Sequence, residues 1–169
     1  MPEHGDGAFA GFALAVYNGD GVSKAAVSLQ DRRGVDVNLL LFAAYVSVRS
    51  THVLTSNDIA LAQRRTAPWQ SEVVAPLRAV RRRLKQDPAA AALRATVHDA
   101  ELAAEMLELD VLADLARQFG DAPPAAPSAA VVAAALGAVL RVGDDTALSD
   151  DDRRDIAVIA TAAARAGVR

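Results

Sequence analysis

The chain has 169 residues, enough for one domain; 52% are hydrophobic, much of that alanine, and only 4% are aromatic. The formal net charge of −3 lacks the basic surplus of a general nucleic-acid binder. The absence of cysteine excludes disulfides, thiolate nucleophiles and cysteine-ligated metal centres, and it fits a reducing compartment.

Helix signals follow one another along the chain. Phe9, Phe12, Ala13 and Val16 recur at helical spacing and predict a first helix over residues 8–17, ended by the Asn18-Gly19-Asp20-Gly21 turn cluster. A second helix over residues 22–33 stops at Gly34, and a third, apolar almost all round, spans residues 36–48 as the central helix of a bundle. Thr55-Ser56-Asn57-Asp58 reads as a capping box that starts a short helix through Arg65. Pro68 is expected to open another over residues 69–85, with a kink or break at Pro76, where a backbone donor is missing. Asp87-Pro88 restarts the chain into its longest helix, residues 89–119, ended by Gly120. Residues 121–128, DAPPAAPS, form a Pro/Ala-rich linker. Two further helices cover residues 129–141 and 150–166, the second opened by the Ser149–Asp152 capping box.

The expected fold is all-α, a helical bundle over residues 1–120 followed by the linker 121–128 and a C-terminal helical pair over residues 129–169. Residues 1–7, MPEHGDG, lack the basic and apolar regions of a signal peptide. The longest apolar runs, 39–46 and 129–140, fall short of the ~20 residues of a membrane span. A soluble cytoplasmic protein without a membrane segment is expected.

Charge is distributed unevenly between neighbouring helices. Between Arg64 and Lys85 there are seven basic residues against Glu72, and between Asp99 and Asp121 seven acids against Arg117. The short Asp87-Pro88 connection makes the two helices antiparallel neighbours, so opposite charges face each other. At about 100° per residue, Leu93, Val97, Ala100, Ala104, Leu107, Val111 and Leu115 form one apolar stripe, expected to face the core. Asp99, Asp110, Asp114 and Arg117 lie opposite. Glu101, Glu105 and Glu108 border the stripe, with His98 beside them, and buried carboxylates need partners.

Two readings of these glutamates follow. In one they line a site, with His98 and Glu101 as neighbouring metal ligands; a single His-x-x-Glu with no second histidine nearby argues against it, and no metal or other cofactor is expected. In the other, favoured by the rarity of unpaired buried charge, they pair with Arg78, Arg81, Arg82 or Lys85. The basic run 78–85 has no interleaved aromatic residue and no glycine-rich loop, so a salt-bridged face is expected rather than a nucleic-acid site.

A second polar group, Gln30, Asp31, Arg32, Asp36 and Asn38, straddles Gly34. Asp36 reads as a cap of the third helix, and Asp31 as a partner for an arginine of the bundle. Asn38 sits in a helix otherwise apolar and needs a buried hydrogen-bond partner. The functional alternative is a pocket at the mouth of the bundle with Asp31 or Asp36 as acid or base. Trp69 is expected to anchor its helix start. No catalytic residue is assigned: His4, His52 and His98 are dispersed, no G-x-S-x-G or phosphate-binding fingerprint is present, and the serines sit mostly at helix ends.

The blocks Phe12-Ala13-Leu14-Ala15-Val16-Tyr17, Leu29-Gln30-Asp31, the run 34–42 (GVDVNLLLF), Trp69, the run 73–81 (VVAPLRAVR) and the run 100–105 (AELAAE) occur in an order that resembles a proteobacterial family of small proteins of unknown function, over residues 8–108. The resemblance implies a bacterial cytoplasmic protein. It implies no activity, so no functional residue is carried over.

The lack of a catalytic constellation and the two apolar C-terminal helices point to a non-enzymatic helical binding or adaptor protein, with a protein partner, a second copy of itself or a small molecule as ligand. The alternative is a small-molecule or metal-dependent enzyme using a carboxylate and arginine cluster in the bundle. The candidate polar pocket comprises Gln30, Asp31, Asp36, Asn38, Trp69, Arg78, Arg81, Glu101 and Glu105.

Overall fold

Side-chain caps and left-handed glycines set where the helices start and stop. The structure, a computed structural model, describes residues 7–124, 126–142 and 146–168. His4 and most of the MPEHGDG segment lie outside the described residues. Among the described residues there are eight α-helices and no strand: α1 (Ala8–Tyr17), α2 (Val22–Arg33), α3 (Val37–Arg49), α4 (Ser56–Trp69), α5 (Ala75–Leu84), α6 (Ala91–Arg117), α7 (Ala129–Arg141) and α8 (Asp150–Ala166). The chain is an all-α helical bundle, and no described helix is long and apolar enough to cross a membrane.

Both expected capping boxes form. The Thr55 hydroxyl accepts from the Asp58 amide and the Asp58 carboxylate accepts from the Thr55 amide; Ser149 and Asp152 do the same for α8. Asp36 is the N-cap of α3, its carboxylate accepting from the Asn38 amide at 2.9 Å. Gly34, at φ 64° in the left-handed region where a side chain is strained, ends α2 and turns the chain two residues before that cap.

The two prolines behave differently from expectation. Pro68 does not open a helix but lies inside α4, which continues into a π-helical turn, Gln70–Val74, and then into α5. In that turn the Ala75 amide donates to the Gln70 carbonyl, a wider step than the α-helical one. Pro76 then falls in the first turn of α5, where its missing donor has no α-helical partner to lose. One wide turn thus takes up the irregularity, and residues 56–84 remain a continuous helical path.

The core is a single apolar cluster around α3, in which Leu40, Phe42, Ala43, Ala44 and Val48 are almost completely buried. Helix α1 contributes the predicted stripe of Phe9, Phe12, Ala13 and Val16, with the Phe9 and Phe12 rings 5.0 and 5.2 Å from that of Tyr45. Helices α7 and α8 fold back over α3, α2 and α1, and their Val132, Leu136, Ile156 and Ile159 belong to the same cluster. Where α8 meets α2, Asp152 is buried between Arg32 and Arg33, whose Nη2 atoms approach it at 3.0 and 2.6 Å. Burial opposes ionisation there, yet hydrogen bonds from Arg33 and Ser149 hold the carboxyl well below the usual carboxylate range.

The stripe expected to face the core from α6 does so only in part, at Ala104 and Leu115. Leu93 is 56% and Leu107 52% exposed, and Val111 is exposed as well. The buried face adds Glu101, Glu108, Leu112 and Ala116 to Ala104 and Leu115. The two faces are adjacent on the helix, so the pattern found an apolar edge but placed the core a fraction of a turn away from where packing puts it. This rotation buries two carboxylates.

A carboxylate face with two kinds of partner

Glu101 and Glu108 lie seven residues, about two turns, apart on the buried face of α6. They are 4% and 1% exposed, so each must find hydrogen-bond partners inside the protein. What each finds depends on which element lies above it.

Glu101 faces α5, the antiparallel neighbour across the short Asp87-Pro88 connection. Arg78 Nε donates to Glu101 Oε1 at 3.1 Å, Arg81 Nη2 donates to the same oxygen at 3.1 Å, and Arg81 Nε donates to Oε2 at short range. Arg78 Nη2 also reaches Glu105 Oε1 at 2.7 Å. The hydrogen bond from Arg81 is the main reason that the Glu101 carboxyl is held below its ordinary value, against the opposing effect of burial. The pairing expected of Arg78, Arg81, Glu101 and Glu105 is therefore present, whereas Arg82 and Lys85 stay exposed. His98 is exposed, and among the described residues no three His, Cys, Asp or Glu side chains lie together in a way that could hold a metal ion.

Glu108 does not follow the expected pairing. Among the described residues no guanidinium reaches it. Above Glu108 lie the start of α3 and the π turn. Its Oε2 is 3.5 Å from Gln70 Nε2, which is also 3.3 Å from Asp36 Oδ2. The Asp36 and Asn38 side chains lie beside Glu108 and act on its carboxyl in opposite directions, Asp36 raising and Asn38 lowering its proton affinity. Burial, followed by the hydrogen bond and negative charge of Asp36, pushes the Glu108 carboxyl up to about 9, so it is protonated at neutral pH and can donate to Asp36. Glu108 Oε1 and Gln70 Oε1 are both buried without a hydrogen-bond partner among the described residues.

Asp36 and Gln70 line a cleft of about 430 Å³ between the α2–α3 corner, α4 and the end of α7. Arg33, Gln63 and Thr66 add polar groups to its wall, and Leu39, Ile59 and Leu140 supply an apolar one. Thr66 is occupied with its own helix, its hydroxyl donating to the Ala62 carbonyl at 3.2 Å. A wider cleft of about 910 Å³ lies between α1 and α8 beside Tyr45. No side-chain polar atom of its lining is among those buried without a partner.

The expected polar pocket is thus divided. Asp36 and the half-buried Asn38 come together beside Glu108. Arg78, Arg81, Glu101 and Glu105 form a separate ionic group two turns away. Trp69 lies between the two, its indole donating to the Ala104 carbonyl at 2.9 Å; it ends α4 rather than starting a helix. Gln30 is half-buried in the last turn of α2, where its carbonyl accepts from Gly34. Asp31 is exposed, and among the described residues it has no ion pair; the arginines beside it, Arg32 and Arg33, turn to Asp152 instead.

Sequence reasoning left Gln70 and Glu108 out of the pocket. Glu108 repeats Glu101 at a two-turn interval, which marked it for burial but not for a different partner. Gln70 was hidden because its position depends on the π turn.

Residues 9–112, more than half of the chain, match the model of a family described as "Protein of unknown function (DUF2390)", and the chain belongs to that family. No curated protein and no solved structure matches it.

Proposed function

We propose that this member of the family is a non-enzymatic bacterial cytoplasmic binding protein, and that its ligand site is the cleft walled by Asp36 and Gln70 with Glu108 behind them. One observation carries the reading. Among the described residues Glu108, 1% exposed, has no cationic partner, and its Oε1 and the neighbouring Gln70 Oε1 are buried acceptors to which none of those residues donates. A buried polar group left unsatisfied costs about 1–3 kcal/mol. A ligand bearing several hydrogen-bond donors removes that cost on binding. A small primary amine suits the chemistry best, because its ammonium replaces the proton that Glu108 holds against Asp36.

Titration calorimetry with ethylamine and putrescine at neutral pH, in buffers of different ionisation enthalpy, tests this. Saturable binding with release of a proton is expected, and it should be lost in Glu108→Gln and Asp36→Asn. Absence of binding, or equal binding by the Glu108→Gln variant, would overturn the reading.

The same raised carboxyl favours a second reading. Two carboxyl groups that hydrogen-bond to each other, one of them protonated at neutral pH, resemble the acid and base of an enzyme that moves a proton on a small substrate. In that case Glu108→Gln would keep ligand affinity while losing turnover.

A further inference from the structure

The cleft beside Asp36 and Gln70 has three walls, and only two of them come from residues 9–112, the part of the chain that matches the family. The α2–α3 corner and α4 with its π turn bring the polar groups, Asp36 and Gln70 among them. The third wall is the end of α7, where Val139, Leu140 and Val142 line the cleft. All three are aliphatic, and Val139 and Leu140, 5% and 3% exposed, are held in place by packing in the core. Together with Leu39 and Ile59 they form a surface that an ammonium group cannot use and an alkyl chain can. At about 430 Å³ the cleft has the size of a small-molecule pocket and holds more than an amine headgroup.

Charge on the lining decides what the far end of a ligand can be. Asp36 is the one acid among the described lining residues, and an amine headgroup uses it together with Glu108 behind it. A second ammonium would find no further carboxylate there, and the remaining charged group of the lining is Arg33, a cation. Arg33 is committed elsewhere: its Nε and Nη2 donate to Asp152 Oδ2 at 3.0 and 2.6 Å, and Nη2 also donates to the Ala147 carbonyl at 2.9 Å. An anionic end would have to compete with Asp152 for that guanidinium. A cationic end and an anionic end are thus both disfavoured, and an uncharged apolar end is accepted.

We propose that the cleft selects a primary monoamine carrying an uncharged aliphatic chain, and that Val139, Leu140 and Val142 at the end of α7 read that chain. This rests on the amine reading of the same site and narrows its ligand class. The specificity-determining residues then lie outside the family-matched segment, while the headgroup residues lie within it.

Titration calorimetry of the full chain with ethylamine, n-butylamine and putrescine at one pH tests the selectivity. Burial of two further methylenes should make butylamine bind about tenfold tighter than ethylamine. Putrescine, with the same carbon chain, should bind at least about tenfold more weakly than butylamine, because its second ammonium loses water without gaining a carboxylate. Val142→Ala, at a half-buried position, should lower butylamine affinity several-fold and leave ethylamine affinity unchanged. Gln63→Glu, at an exposed lining position, supplies the missing acid and should bring putrescine level with butylamine. Cooperative melting of both variants shows that they fold.

If ethylamine binds but the longer chain gains nothing, or putrescine binds the native chain as tightly as butylamine does, the selectivity is overturned and the amine site stands. Equal butylamine affinity in the native and Val142→Ala chains overturns the role of α7, and a Gln63→Glu chain that binds putrescine no better than the native chain overturns the charge argument. Absence of binding by all three amines overturns the site itself, and the selectivity with it.

Discussion

Glu101 and Glu108 are the same residue type, on the same face of the same helix, at almost the same burial, and they differ in what the rest of the fold places above them. Over Glu101 lies α5, whose Arg78 and Arg81 supply three hydrogen bonds and two positive charges. Over Glu108 lie Asp36, Asn38 and Gln70, of which Gln70 donates a hydrogen bond and none carries a positive charge. Burial opposes ionisation in both cases. The guanidinium groups overcome it at Glu101 and lower its proton affinity, while at Glu108 burial and a neighbouring carboxyl act together and raise it. The lesson is that burial alone does not set the charge of a carboxyl; the nearest helix does.

Removing the cations breaks the comparison most severely. In the double variant Arg78→Met, Arg81→Met, Glu101 becomes a buried acid without a cation, and unfolding in urea at neutral pH should show a loss of about 3–5 kcal/mol. Glu101 in that variant should also take up a proton as Glu108 does, visible as a carboxyl titrating above its ordinary range by carbon-detected NMR. A loss no larger than that of an exposed substitution would show that the arginines do not compensate the charge.

Replacing Glu108 by Gln sharpens the comparison from the other side. Between the ordinary 4.5 of the carboxyl and about 9, the folded chain keeps a proton that the unfolded chain has released. Stability therefore falls as pH rises through that window, and the Glu108 contribution is fully present only below it. In Glu108→Gln this decline should disappear, leaving the variant nearly equal to the parent at the acid end and more stable by several kcal/mol, on the order of 1.4 per pH unit of the window, at the alkaline end. Melting temperature measured across pH reads the slope, and an unchanged slope would mean that Glu108 is not the titrating group.

Trp69→Phe gives the smallest effect. The indole that marks the boundary between the two glutamates is lost, but the Ala104 carbonyl keeps its place in the helix, so a loss of about 1 kcal/mol is expected in chemical unfolding. A loss several times larger would mean that Trp69 holds α4 on α6 by packing far more than by its hydrogen bond.

Much of the local structure was legible before any coordinates. The Thr55/Asp58 and Ser149/Asp152 capping boxes, the stop at Gly34 and the first-helix stripe of Phe9, Phe12, Ala13 and Val16 all depend on neighbours within a few residues. The pairing of Arg78 and Arg81 with Glu101 and Glu105 was legible too, because a short connection forces two oppositely charged helices side by side. The π turn was not, since Pro68 and Pro76 allow either a restart or a widened turn, and local propensity does not choose between them. The location of Gln70 depends on that choice.

What the amino-acid sequence determined by itself is the set of helices, their caps and the presence of carboxylates at the edge of an apolar stripe, because these follow from spacing and short-range hydrogen bonding. The rotation of α6 was decided only by tertiary packing. Its helix carries apolar residues on more than one side, so several rotations bury comparable apolar area, and contacts with α1, α3 and α4 select the one that sinks Glu108 beneath Asp36 and Gln70 and leaves Leu93, Leu107 and Val111 outside. A side chain's partners across the fold, which set its charge, are fixed only once every helix has found its neighbours.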